Sequence, residues 1–207
     1  MLHQRTLLGA GEPEIDAGAT FERVHLDEHS WVDVARDWMR GADSLFDALI
    51  ERVEWKQGKR WMYERMVDDP RLSRWYPASE SVPHPALDDA KRALGARYDV
   101  CFGSVGLNYY RDGSDSVAWH SDRELRELED TRIAILTLGA RRPFLIRPKA
   151  ADGPRRSRDI KPGSGDLLVM GGRCQMDWEH NVPKSKGAGP RISSSWRWMR
   201  AIPQPQR

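Results

Sequence analysis

The sequence predicts a β-rich α+β fold: a double-stranded β-helix (jelly roll) core with N-terminal helices packed on it. Two observations carry this. The apolar period changes near residue 100, from helical spacing to the two-residue alternation of strands. Beyond that point, short apolar runs are separated by turn clusters, with no helical segment between them. The length of 207 residues suits one domain with an N-terminal extension.

Residues 1–20, rich in Gly, Glu and Ala, read as a flexible N-terminus. Residues 21–99 read as a helical extension and substrate lid. Ser30 precedes Trp31, Val34, Ala35 and Trp38 at helical spacing, and Gly41 follows, which predicts a short amphipathic helix. Asp43 opens a second, with Leu45, Phe46, Leu49, Ile50 and Val53 on one face. Residues 85–97 form a third, with Pro85 suited to its first turn. The core is expected at 100–207. Its strands are Val100 to Tyr110, Ile133 to Leu138, Phe144 to Ile146, Leu167 to Met170 and Ile192 to Met199. Turn clusters at 111–114, 151–154, 162–165 and 186–190 divide them. There is no internal repeat.

With 39% hydrophobic residues and a mean hydropathy of −0.70, no apolar run approaches the roughly 20 residues of a membrane span. The N-terminus lacks the pattern of a secretory signal. A cytoplasmic monomer without membrane association is therefore expected. Cys101 and Cys174 match no zinc spacing and read as reduced, mostly buried thiols.

The net charge of +2 conceals an asymmetry. Residues 1–100 hold 14 Lys and Arg against 19 Asp and Glu, and residues 101–207 hold 19 against 12. The segment 131–173 alone has 10 basic residues (Arg132, Arg141, Arg142, Arg147, Lys149, Arg155, Arg156, Arg158, Lys161, Arg173) against Asp152, Asp159 and Asp166. Such a segment is either a surface for a polyanion or a solvated arginine-rich loop.

The chemistry concentrates later in the chain. His120 and Asp122, two apart, point to one face if the segment is extended. His180 would come from a later strand alongside. Two imidazoles and one carboxylate are the ligand set that leaves positions on an iron(II) open for a cosubstrate and O₂. Arg191 and Arg197 are six apart and so share a strand face. Guanidinium groups match carboxylates in bidentate geometry, so the pair suits a small dicarboxylate such as 2-oxoglutarate. Another His-x-Asp, His25 to Asp27 with His29 beside it, has no arginine pair after it and reads as a surface cluster.

The ordered run of motifs resembles the AlkB-type Fe(II)/2-oxoglutarate-dependent dioxygenases, which remove N-alkyl lesions from nucleobases. It comprises Asn108–Tyr110, Asp115–Glu124 (DSVAWHSDRE), Gly165–Met170, Trp178–Lys184 and Arg191–Arg197. The similarity spans about residue 68 to Arg200. The resemblance implies that His120, Asp122 and His180 bind iron. It implies that Arg191, helped by Tyr110, holds the distal carboxylate of 2-oxoglutarate, and that Arg197 and Asn108 hold the chelating end. By the same resemblance, Glu124 falls where the family often has an acidic residue near the substrate base. From the residues alone, Tyr110 and Asn108 are equally a strand aromatic and a turn residue.

Two departures stand out. Ser193 replaces the asparagine the family commonly has two residues after the first arginine. The tyrosine/phenylalanine pair of the family's lid is missing after Trp75 and Tyr76. Trp75, Tyr76 and Trp61 are the candidates to replace it, and core packing accounts for each equally well. The expected activity is oxidative dealkylation of N-alkylated bases in single-stranded or damaged DNA, or in RNA, releasing formaldehyde and succinate. The alternative is the same chemistry on a protein or small molecule.

Overall fold

A computed structural model describes residues 9–62, 64–150 and 156–198. Arg155, the 151–154 turn, Met199 and residues 1–8 lie outside them. The elements are β1 (Glu14–Ile15), β2 (Phe21–His25), β3 (Ser30–Ala35), β4 (Met39–Arg40), α1 (Ala42–Arg52), β5 (Lys56–Met62), β6 (Arg65–Tyr76), α2 (Pro85–Tyr98), β7 (Phe102–Tyr110), β8 (Val117–His120), β9 (Thr131–Gly139), β10 (Leu145–Pro148), β11 (Arg158–Asp159), β12 (Leu167–Gly172), α3 (Cys174–Asp177), β13 (Trp178–Val182) and β14 (Arg191–Trp198).

An eight-stranded sheet runs in the order β2-β3-β12-β9-β14-β7-β6-β5, and a four-stranded sheet in the order β11-β10-β13-β8. Alternation along the central strands sends side chains into two separate cores. Ile133, Ile135, Leu168, Met170, Val32 and Val34 meet Ile146, Trp178 and Val182 of the smaller sheet. Ala134, Leu136, Leu138, Leu167, Val169 and Ile192 pack on the other face with Leu45 and Leu49 of α1 and Leu87 and Leu94 of α2.

Both expected helices at 43–53 and 85–97 form. In α2 the His84 ring accepts the Ala86 N–H at 3.2 Å, and Pro85 occupies the first turn. The N-cap of α1 is Gly41 rather than Asp43. It adopts φ 62°, and a Cβ there would stand 2.5 Å from the carbonyl oxygen of Glu12.

The helix expected at 31–38 is instead β3, paired with β2 and β12. Its Val32 and Val34 enter the inter-sheet core, while Trp31 and Ala35 face the helices. A strand buried on both faces fills consecutive positions with apolar residues, which mimics helical spacing. Asp33 between them is buried but receives two bonds from Arg23, at 2.7 and 2.9 Å, and one from the Tyr98 hydroxyl at 3.0 Å.

Two further expectations change. Segment 21–99 is not a helical extension, since it supplies β2, β3, β5 and β6 to the large sheet. Residues 9–20 are structured: β1 pairs with β4, and Asp16 donates its N–H to the carbonyl of Trp38 at 2.8 Å. No helix among the described residues is long and apolar enough to cross a membrane.

The two cysteines also differ from each other. Cys174 is buried, and burial pushes its thiol up to about 12, whereas Cys101 is exposed. Native protein treated with iodoacetamide at neutral pH is therefore expected to be alkylated at Cys101 alone, with Cys174 reacting only after denaturation. Peptide mass mapping checks this, and native labelling of Cys174 would contradict it.

Candidate active site

The cleft between the two sheets opens into a cavity of about 470 Å³. Its floor is the large sheet, through Asn108 and Tyr110 of β7, Ile133 and Ile135 of β9, and Ser193, Ser195 and Arg197 of β14. Its opposite wall includes His120, Asp122, His180 and Val182, with Phe144 beside them. Trp75, Arg74, Arg123 and Glu124 also line it.

Strand pairing brings the two histidines together. His120 and His180 are directly opposed in the β8–β13 ladder, with ring centroids 4.3 Å apart. The His120 Nδ1 lies 2.8 Å from the carbonyl oxygen of Ala118. A carbonyl only accepts, so Nδ1 is the protonated nitrogen and Nε2 is the one left to face a metal. His180 is buried against the Phe144 ring at 5.4 Å. Burial and the neighbouring His120 push its pKa down to about 3, so it is a neutral donor.

Asp122 lies past the end of β8 rather than on an extended continuation of it, and the Leu125 N–H bonds back to its carbonyl at 3.0 Å. Burial raises the carboxyl's pKa, but the hydrogen bond and charge of Arg197 more than offset this and hold it below the ordinary value. Its Oδ2 accepts from Arg197 Nε at 2.5 Å. Among the described residues, no three His, Cys, Asp or Glu side chains already surround one metal position. The donor chemistry nonetheless fits iron: two imidazoles with a carboxylate close by.

The arginine pair shares the cavity-facing side of β14, as their spacing predicted, but their environments differ. Arg191 lies opposite Tyr110 of β7 and Gly139 of β9, and is fully buried. Its Nη2 donates to the Thr137 hydroxyl at 3.2 Å, while Nε and Nη1 have no partner. Burial lowers its pKa to about 10. A buried guanidinium with two idle donors is costly on its own and suits an anion. Arg191 does not itself line the cavity, but Tyr110, opposite it on β7, and Ser193, two residues along β14, do. Ser193 contributes another buried hydroxyl without a partner, and burial raises the pKa of Tyr110. Arg197 is committed to Asp122, and the Asn108 Oδ1 accepts from Arg71 Nε at 2.9 Å.

The lid candidates separate by strand alternation. Trp75 is 45% exposed and lines the cavity beside Gly106, where an added Cβ would stand 3.2 Å from the indole. Tyr76, expected near substrate, is buried on the opposite face in the core beneath α2, so it cannot touch a base in the cavity. Trp61 is 68% exposed on the β5–β6 hairpin and does not line the cavity. Glu124 lies exposed on the cavity wall.

Much of the 131–173 segment is engaged by the fold, while Arg141, Arg156 and Arg158 stay exposed. Arg142 is buried and donates to the carbonyls of Asp112, Asp115 and Pro183. Lys149 donates to the carbonyls of Gln175 and Met176. Arg132, Arg147 and Arg173 pair with Asp130, Glu179 and Asp177. Arg141 and Arg158 donate to the carbonyls of Lys161 and His25. The cations that line the cavity, Arg71, Arg74, Arg123 and Arg197, lie outside this segment, and of them Arg71, Arg74 and Arg197 bond to Asn108, Glu80 and Asp122. The second His-x-Asp is structural: Asp27 accepts the N–H groups of His29 and Ser30 and the Trp178 indole N–H. Arg71, Thr137 and Gln175 carried no motif that marked them in advance.

Comparison with known proteins shows what the chain as a whole is similar to. A family model described as the 2OG-Fe(II) oxygenase superfamily matches residues 35–200. The chain is 33% identical over 179 residues to alpha-ketoglutarate-dependent dioxygenase alkB homolog 3 of Mus musculus, covering 77% of this chain and 62% of that protein. It is 30% identical to the DNA oxidative demethylase ALKBH2 of Mus musculus, covering 75% of this chain and 74% of the other. The chain thus spans about three fifths of the length of the alkB homolog 3 relative. A Pseudomonas putida prolyl-4-hydroxylase structure shares the fold at 16% identity, with a TM-score of 0.56 over 83% of this chain and 93% of that one. The family model matches most of the chain, which places it in the class of the 2OG-Fe(II) oxygenases. The chain belongs to that superfamily, and within it to the AlkB-type dioxygenases.

Proposed function

We propose that this protein is an Fe(II)- and 2-oxoglutarate-dependent enzyme that oxidatively dealkylates N-alkylated bases, with single-stranded or damaged DNA as its substrate. The observation that carries the reading is that His120 and His180 meet in one cavity whose floor strand, β14, also carries the buried, half-satisfied Arg191. The larger sheet is read as one layer of the double-stranded β-helix, braced on its outer face by α1 and α2.

In this reading His120, Asp122 and His180 hold the iron. Arg191, with Tyr110 and Ser193, takes the distal carboxylate of 2-oxoglutarate, and Asn108 and Arg197 take the chelating end. Bound together, the metal and cosubstrate supply oxidation of an N-alkyl carbon by O₂, which ends in aldehyde and succinate. The protein's share is placement and exclusion of water. Ile133, Ile135, Phe144 and Val182 give the reacting carbon an apolar wall. Trp75 offers a flat, partly exposed indole for an unstacked base, and Glu124 an acceptor at the wall. A base must leave its stack to enter, which costs least in single strands or at damaged pairs. The charge that holds the backbone is assigned to Arg71, Arg74 and Arg123 rather than to the 131–173 segment.

Succinate formation measured with methylated single-stranded DNA, the unmethylated strand, and a peptide tests the substrate class. Stimulation by the methylated strand alone is expected, and stimulation by the peptide alone would overturn the nucleic-acid reading. Trp75→Ala is expected to raise KM for a methylated strand by about 5- to 100-fold, the range of one base–aromatic stack, while KM for 2-oxoglutarate stays unchanged. An unchanged KM for DNA would remove Trp75 from the base site.

A further inference from the structure

Asp122 is the weak point of the candidate metal site, because no strand ladder holds it: β8 ends at His120. What anchors its main chain from outside its own loop is Gln175, on α3, five residues before His180. Gln175 is fully buried, and its Oε1 accepts the Asp122 N–H at 2.8 Å. The side-chain amide nitrogen lies 3.9 Å from Met170 Sδ, and the Gln175 carbonyl accepts Lys149 Nζ at 2.7 Å. The residue therefore joins the loop that carries Asp122 to the short helix that leads directly into β13, the strand of His180. A side chain at this place that only filled space would not need an acceptor aimed at a ligand's own peptide. Rotation of the peptide before Asp122 is what would swing the carboxylate, and the bond to Gln175 opposes that rotation.

We propose that Gln175 is a positioning residue for the metal site. It fixes the Asp122 backbone so that the carboxylate, shared with Arg197, stands ready beside His120 and His180. This rests on the reading in which those three residues hold the iron.

The test is Mn(II) binding by the full chain, followed by calorimetry and by the electron paramagnetic resonance spectrum of the bound ion. Wild type, Gln175→Met and Gln175→Glu are compared, with the metal-free Tm of each. The Met variant keeps the volume and loses the acceptor. The Glu variant restores a carbonyl-type oxygen facing the Asp122 N–H. Gln175→Met is expected to weaken Mn(II) about 10- to 100-fold, the usual effect of removing a group that orients a metal ligand, and to alter the spectrum. Gln175→Glu is expected to recover most of the affinity and the wild-type spectrum. Wild-type affinity and spectrum in Gln175→Met would overturn the proposal. So would equal weakening in both variants that follows their Tm, the mark of a core filler. If wild type itself binds no Mn(II), the metal reading fails and the inference with it. That outcome is distinct from normal wild-type binding unaffected by the Met change.

Discussion

Arg191→Met is expected to make the metal- and cosubstrate-free protein more stable while abolishing its response to 2-oxoglutarate. The wild-type guanidinium is fully buried, holds one hydrogen bond to Thr137 and leaves two donors idle. Replacing a poorly paired buried charge by an apolar side chain of similar length is commonly stabilising by about 1–3 kcal/mol. In a chain of this size that is a rise of roughly 2–4 °C in Tm for each kcal/mol. The same idle donors are what a carboxylate would satisfy. Their loss should cost at least about 3 kcal/mol of binding, on the order of a 100-fold rise in KM for 2-oxoglutarate. Thermal melts with and without 2-oxoglutarate read both effects. The cosubstrate should raise the Tm of wild type and leave the variant unmoved. A variant that is destabilised yet still shifted by 2-oxoglutarate would show that Arg191 is a structural cation and that the dicarboxylate binds elsewhere.

The second large effect is at His120. Its Nδ1 is committed to the Ala118 carbonyl, so the ring leaves only Nε2 for a metal, and alanine removes it. His120→Ala is expected to weaken Mn(II) by at least about 100-fold and to end turnover, because two protein ligands and a cosubstrate complete the site poorly. His25→Ala changes the other His-x-Asp sequence and should leave both properties as they are, since His25 is exposed on β2, away from the cavity lining. Mn(II) calorimetry on the two variants separates the motifs. Equal affinity for wild type and His120→Ala would dismantle the site.

Much of this was readable in the residues, for identifiable reasons. His120 and His180 were legible because their types are rare and chemically committed. Arg191 and Arg197 were legible because even spacing on a strand puts both on one face. The two helices with single apolar stripes, α1 and α2, were legible for the same geometric reason. β3 was not, because burial on both faces erases the alternation that marks a strand. Trp75 and Tyr76 looked equivalent until the strand was seen, and alternation then admits only one of them to the cavity. The arginines of 131–173 could be counted but not matched, since many of their partners are main-chain carbonyls such as those of Asp112 and Pro183. Gln175 gave no sign because its role depends on a peptide N–H 53 residues away.

The measurement that bears most directly on the whole account is formaldehyde release from methylated single-stranded DNA in the presence of Fe(II), 2-oxoglutarate and ascorbate, with His120→Ala in parallel. The account predicts release by wild type and none by the variant. No release by wild type, with steady succinate formation when DNA is omitted, would contradict it and mark an oxygenase whose substrate is not an alkylated base.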